Sequence, residues 1–297
     1  MMSSPILHFI SPPIPYFIDC GTASYRAGES HISRSNIGVF DLVVVTKGEL
    51  SLGEGDAEWT IGEGEAFILR PDASHYGKSA CLSDTEIIWI HFHTFGAWDE
   101  CGSLEKCLDN QAALIAAHKQ TAYLNHSEVS SVFIPKHSKL PAKAMEILGQ
   151  FFQLEDEPRS LRNWKRQSAF QLFIQHLDRE LASSSDGTAF HLAEKVELFI
   201  RQNYTGKVTN SVLQSELNYH PNYLARCMLK VYGMTPMEFL LQYRIEQSKK
   251  LLVQTEWTVT RIAEEVGFQH GSYFTFCFSN REGITPLHYR RKMRGHG

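Results

Sequence analysis

The sequence predicts an α+β protein of two domains: an N-terminal β-barrel followed by a helical pair, and a C-terminal all-α domain with two helix-turn-helix units joined by a long helix. Three observations predict it. A segment near the C-terminus occurs twice, first as VLQSELNYHPNYLARCMLKVYGMTPMEF and again as RIAEEVGFQHGSYFTFCFSNREGITPLHY. Short apolar runs punctuated by turn residues fill residues 39–95. The charge also divides: up to residue 186 there are 15 Lys and Arg against 24 Asp and Glu, and beyond it 14 against 9. A length of 297 residues is ample for two cores.

The elements follow in order. The segment before residue 39, which includes PPIPYFIDCGTASYRAGES, reads as an arm folding over the pocket or as an edge strand. Strands are expected at Leu42–Val45, through Leu50 and Leu52, through Trp59 and Ile61, at Ala66–Leu69 and at Ile87–Phe95, with GEGD, GEGE and RPDAS as turns. Their number and spacing suggest a jelly-roll barrel. From about 141 to 182 the period becomes helical, with one stripe of Ala144, Met145, Leu148, Phe151 and Phe152 and another of Leu161, Trp164, Leu172, Phe173, His176 and Leu177. Such a pair either covers the barrel or dimerises. The small polar run ASSSDGTA, 182–189, reads as a linker between a domain at 1–181 and one at 190–297.

In the C-terminal domain the two copies run in register. Leu213, Leu217 and Tyr219 precede Ile262, Val266 and Phe268 by 49 residues. After one extra residue in the second turn, Tyr223, Leu224, Met228, Gly233, Thr235, Pro236 and Phe239 precede their counterparts by 50. Thr209 and Thr258 are suited to N-cap the first helix of each unit. Gly267 suits the left-handed residue of a sharp turn, and Gly233 and Gly283 suit helix ends. Two such units can set two helices in successive major grooves of DNA, and the basic charge of this half fits that partner.

The run from Thr258 to Arg291, TVTRIAEEVGFQHGSYFTFCFSNREGITPLHYRR, resembles the C-terminal signature of the AraC/XylS family of bacterial transcription regulators. The first unit and the connector RIEQSKKLL match more loosely. The resemblance implies that the early exposed positions of each second helix face double-stranded promoter DNA. These are Asn222, Ala225, Arg226 and Lys230 in the first unit, and Gly271, Ser272, Thr275 and Phe276 in the second. Arg226 suits a guanine edge or a phosphate, Asn222 an adenine or the helix start, and Lys230 the backbone. Phe276 stands where relatives carry arginine, and either touches a thymine methyl or packs inward while its unit grips phosphate. Gln214 and Glu282 also depart from the family pattern.

The N-terminal half resembles the cupin-like sensor of such regulators through DLVVVTKGELSL, IGEGEAFILRPDASHYG and IIWIHFH. The resemblance implies a small-molecule effector, often a sugar, and a homodimer. His75, with Trp89, His91 and His93 on one face of a strand, are the candidate effector contacts, since an aromatic ring beside polar donors suits a carbohydrate. RNA polymerase is a further expected partner. Two rivals belong to other classes: a metal-dependent cupin enzyme fused to a DNA-binding module, with His75, His91 and His93 as ligands, and a DNA-binding protein that needs no ligand. The early His-x-His motif of metal cupins is missing, so no catalytic residue, metal or cofactor is expected. No apolar run approaches the ~20 residues of a membrane span, and the N-terminus lacks a signal-peptide layout. The expected location is the cytoplasm, with the six cysteines as free thiols.

Overall fold

The computed structural model describes residues 4–117, 129–154, 156–182 and 188–295. The chain divides into two compact units, Met1–Asp186 and Gly187–Gly297.

The first unit is built on antiparallel strands β1 (Ile6–Ser11), β2 (Tyr16–Tyr25), β3 (Arg34–Ser35), β4 (Phe40–Lys47), β5 (Glu49–Glu54), β6 (Ala57–Gly62), β7 (Glu65–Leu69), β8 (Ser74–Gly77), β9 (Thr85–His93), β10 (Trp98–Cys101), β11 (Ser130–Pro135) and β12 (His137–Lys139). Helix α1 (Leu104–Ala117) precedes β11, and α2 (Ala142–Phe152) and α3 (Arg159–Ala182) close the unit. A five-stranded sheet, β12-β7-β4-β9-β2, faces a four-stranded sheet, β3-β8-β5-β6, and a third sheet runs β10-β1-β11. Within the N-terminal segment β2 is therefore an edge strand, one of the two readings of that segment, whereas β1 is the central strand of the third sheet. β9 stops at His93, short of the expected Phe95.

β4 reads as an unbroken apolar run because both its faces are covered. Val43 and Val45 join Leu50, Leu52 and Ile61 of the facing sheet in one core. Leu42 and Val44 point the other way, into a core with Ile90, Phe92, Phe9, Ile147, Phe151, Phe170 and Phe173. The helical pair thus covers the outer face of the five-stranded sheet. Its second stripe splits: Phe173 and Leu177 are buried, while Leu161, Leu172 and Trp164, 73% exposed, face solvent.

The three sheets are tied together by one buried cation. Lys136, 1% exposed, joins Glu54 of β5 and lies 2.6 Å from Glu100 of β10. Its carbonyl accepts the Ile68 amide of β7 at 2.9 Å. Trp59 and Phe67 place their rings 5.3 and 5.8 Å from the ammonium.

His8 is buried at the centre of the third sheet, stacked 4.5 Å from Phe133 and 2.7 Å from the Ser131 hydroxyl. Burial pulls its pKa down to about 4, against a smaller upward pull from Asp99. The folded state therefore binds the proton less readily than the unfolded chain. The associated stability is complete above pH 6.5 and is lost as pH falls through 4, on the order of 3 kcal/mol. Asp178 tilts the opposite way: burial raises its pKa to about 6 although it accepts the Phe133 amide. His8→Phe is expected to lose the His8 contribution alone, so the stability difference between variant and parent should shift toward the variant by about that amount from pH 7 to pH 4. Urea titrations at both pH values measure it, and a pH-independent difference would contradict the assignment.

The second unit is all helix: α4 (Thr188–Asn203), α5 (Asn210–Leu217), α6 (Pro221–Tyr232), α7 (Pro236–Gln254), α8 (Val259–Glu265), α9 (Gly271–Glu282) and α10 (Pro286–Met293). Ala182 ends α3 while Thr188 and Ala189 begin α4, so helices take up both ends of the expected linker; 183–187 lie outside the described residues. Thr209 and Thr258 accept the Val212 and Arg261 amides as N-caps. Gly233 and Gly283 end α6 and α9 with φ of 68° and 72°. At the sharp turns the counterpart of Gly267, at φ 88°, is Asn218, at φ 59°.

The repeat extends beyond the helix-turn-helix units. Arg244 of α7 donates to the carbonyls of Tyr204 and Gly206, at the end of α4, at 2.8 and 2.9 Å. Arg294, 50 residues on, donates to those of Val253 and Thr255, at the end of α7, at 3.0 and 2.5 Å. Helix α7 therefore serves twice, following one unit and preceding the next. The two departures from the family pattern are absorbed: Gln214 is exposed, and Glu282 accepts from Lys249 of α7 at 3.2 Å.

Candidate nucleic-acid and effector sites

Each helix-turn-helix pair buries one side of its second helix and turns the other outward. In α6, Leu224, Cys227 and Met228 are buried, and in α9 so are Phe274, Cys277 and Phe278. These i, i+3, i+4 stripes leave Asn222, Arg226 and Lys230 exposed on α6, and Ser272 and Phe276 on α9. Ala225, Gly271 and Thr275 are half-buried at the edges of those faces. The Arg226 guanidinium lies 5.1 Å over the ring of Tyr223, which stacks on Tyr219. The Thr275 hydroxyl donates to the Gly271 carbonyl at 2.9 Å. The cap of α6 is His220, whose Nδ1 accepts the Asn222 amide at 3.2 Å.

Between the five- and four-stranded sheets, the inward face changes character along its length. On β4 it runs Asp41, Val43, Val45, and on β9, in register, His91, Trp89, Ile87. One stretch is apolar and the other polar. Trp89 lies over Gly21 of β2, where a Cβ would come within 2.4 Å of the indole, so glycine there makes room for the ring. Asp41, 3% exposed, has one oxygen 3.7 Å from His91 Nε2 and the other without a hydrogen-bond partner. His75 of β8, 1% exposed, has no partner on either ring nitrogen, and His31, with its ring 5.5 Å away, has none on Nδ1. Burial lowers the pKa of both rings, against an upward pull from Asp41. Tyr25 stands 6.2 Å from His31, its pKa raised by burial. The arrangement combines uncharged imidazoles, a carboxylate, a phenol and an indole.

Two matches with known families cover most of this architecture. Residues 213–292 match a helix-turn-helix domain, and residues 24–194, more than half of the chain, match the AraC-like ligand binding domain. The chain belongs to the AraC family of transcriptional regulators.

Some relatives match along most of the chain. An uncharacterized HTH-type transcriptional regulator, YisR of Bacillus subtilis, is 29% identical over 97% of each chain. The thermoregulatory protein LcrF of Yersinia pestis is 32% identical over 84% of this chain and 88% of its own. Among solved structures, the C-terminal domain of the two-component response regulator yesN from Fusobacterium nucleatum is 38% identical over 33% of this chain and 95% of its own, with a TM-score of 0.32. This protein is thus a DNA-binding transcription regulator with a ligand-binding domain.

Of the residues singled out in its sequence, the structure brings Trp89 and His91 together, with ring centroids 4.8 Å apart. His75 stands on the facing sheet, beside His31. His93 keeps other company, against Tyr16 and Phe95 at 5.9 and 5.4 Å. Among the described residues no group of three or more His, Cys, Asp or Glu side chains is placed to hold a metal ion, and no helix is long and apolar enough to cross a membrane. None of the six cysteines forms a disulfide, and five of them are buried. Sequence reasoning missed His31 and Asp41. Asp41 is the second residue of β4 and its cross-strand neighbour is His91, so the period-two rule, applied across β4 and β9 together, would have paired them.

Proposed function

We propose that this regulator reads promoter DNA in a sequence-specific way with the outward faces of α6 and α9, and takes a small, uncharged, polyhydroxylated effector, a sugar, between the sheets of its first unit. In this reading residues 1–181 sense the effector and dimerise, and residues 190–297 bind DNA, in the cytoplasm. The observation that carries the effector reading is the set of buried polar atoms of His31, Asp41 and His75 that have no protein partner. Leaving such atoms unsatisfied is costly, and ligand hydroxyls both donate to and accept from them. The Trp89 indole supplies an apolar surface for the face of a sugar ring. His91 is a further contact, and His93 belongs to the rim. Support for a second copy of the chain comes from the outer face of α3, where Leu161, Trp164 and Leu172 leave apolar surface in water. The effector acts by favouring one of the arrangements that the protein already samples, and so changes which DNA sites are held.

Thermal unfolding of the full chain with a panel of mono- and disaccharides tests this. A true effector at a hundred times its Kd should stabilise the protein by about 2.7 kcal/mol. His75→Leu should leave the ligand-free melting point unchanged or raised, because it removes a buried ring that lacks partners, and should abolish the sugar-dependent rise. A panel without effect, or a rise that survives in His75→Leu, would refute the effector reading.

A further inference from the structure

We infer that the second unit reads thymine through Phe276, at the position where the first unit presents Arg226. The inference rests on the proposed docking of α6 and α9 in the major groove. The two helices share a register of 50 residues along their buried stripes, and that register sets Ser272 at the place of Asn222, Thr275 at that of Ala225, Phe276 at that of Arg226 and Asn280 at that of Lys230. Their outward chemistry is opposite. α6 offers two cations, whereas α9 carries none before Arg281 in its last turn.

Phe276 is 67% exposed. A phenyl ring left in water forgoes the gain of burial, and this one does so beside a core in which Phe268, Phe274, Phe278 and Tyr289 meet edge to face. It stands outside that core because residue 276 is off the 274, 277, 278 stripe. Beside it, the Thr275 hydroxyl proton is committed to the Gly271 carbonyl. The outward surface of α9 keeps donors at Ser272 and Asn280, and between them the place of the guanidinium is taken by an apolar ring. On the base edges of the major groove, the matching apolar feature is the C5 methyl of thymine. A phenyl ring cannot bond the N7 and O6 of guanine that a guanidinium at this place would engage. The two units thus have different alphabets, with guanine suited to α6 and thymine to α9.

The test starts from sites selected by the full chain out of a random DNA pool, with each thymine of the enriched site then replaced by deoxyuridine, which removes only the methyl group. One or two replacements, confined to the half held by the second unit, should weaken binding about fourfold each, the factor that one buried methyl group commands. Phe276→Ala should melt like the parent, since the ring is exposed, and should bind thymine and deoxyuridine sites alike. Reselection with Phe276→Arg should change the preferred base there from thymine to guanine. Arg226→Ala should weaken the other half of the site and leave the deoxyuridine effect intact. If Arg226→Ala weakens an enriched site in which every deoxyuridine is neutral, or if the methyl effect survives in Phe276→Ala, the thymine assignment falls and the DNA reading stands. A pool in which no sequence is enriched overturns both.

Discussion

Lys136→Ala is expected to cost the first unit about 3–5 kcal/mol, the penalty for removing one partner from a buried ion cluster. The ammonium is enclosed by Glu54 and Glu100, whose side chains are themselves largely buried, so its loss leaves two carboxylates facing each other without the cation between them. Glu54 would retain the Arg70 amide, at 2.6 Å, and Glu100 the more distant Arg70 guanidinium, at 3.8 Å. Neither replaces a full buried charge. The effect is electrostatic rather than steric, and a second variant separates the two. Lys136→Met combined with Glu54→Gln keeps the volume and removes charge from both sides, and should recover a large part of the loss. Urea unfolding followed by the far-ultraviolet signal of the sheets measures both. A loss below about 1 kcal/mol for Lys136→Ala, the range of an exposed pair, would show that the cluster is solvated and does not bind the sheets.

Gly267→Val should disable the second helix-turn-helix unit. The residue sits at φ 88°, where side chains are strained, and a Cβ there would come within 2.6 Å of the Tyr204 carbonyl and 2.9 Å of that of Thr205. Both obstacles are backbone and cannot swing away. A Cβ would also lie 2.8 Å from the Arg244 guanidinium, which holds the end of α4. Strain and overpacking each cost about 1–3 kcal/mol, so a total of about 3 kcal/mol or more is expected. The variant should melt earlier and bind DNA near the non-specific level. The counterpart change, Asn218→Gly, keeps a left-handed residue where φ is 59° and should be close to neutral. A Gly267→Val protein that melts and binds like its parent would refute this account of the turn.

The all-α half was legible because its signal is repeated. Two copies in register make the turns at 218 and 267 and the caps at 209 and 258 visible as pairs, even where one copy has drifted. The period of α9 also answers the question over Phe276, since 274, 277 and 278 take the buried face and leave 276 outside it. The sheet half was read in its middle and missed at its margins. β4, β5, β7 and β9 carry runs that local rules detect, whereas β1, β11 and α1 depend on partners far along the chain; β1 pairs with residues near 100 and 133. The polar cluster between the sheets has the same origin. His31 lies in a segment without period, and its neighbour His75 comes from another strand. Lys136 reads in sequence as an ordinary surface lysine between two short strands. Its burial follows from the sheets that meet around it.

A helix that closes one reading module and opens the next acts as a ruler. α7 is 19 residues long, about 28 Å; from its middle Arg244 holds the end of α4, and its own last turn is held by Arg294. Adding or deleting one residue would turn the downstream module by roughly 100° relative to the upstream one. In the proposed reading, the bases recognised can therefore drift through the outward residues of α6 and α9, one substitution at a time. The gap between them is set by a segment that tolerates almost no change in length.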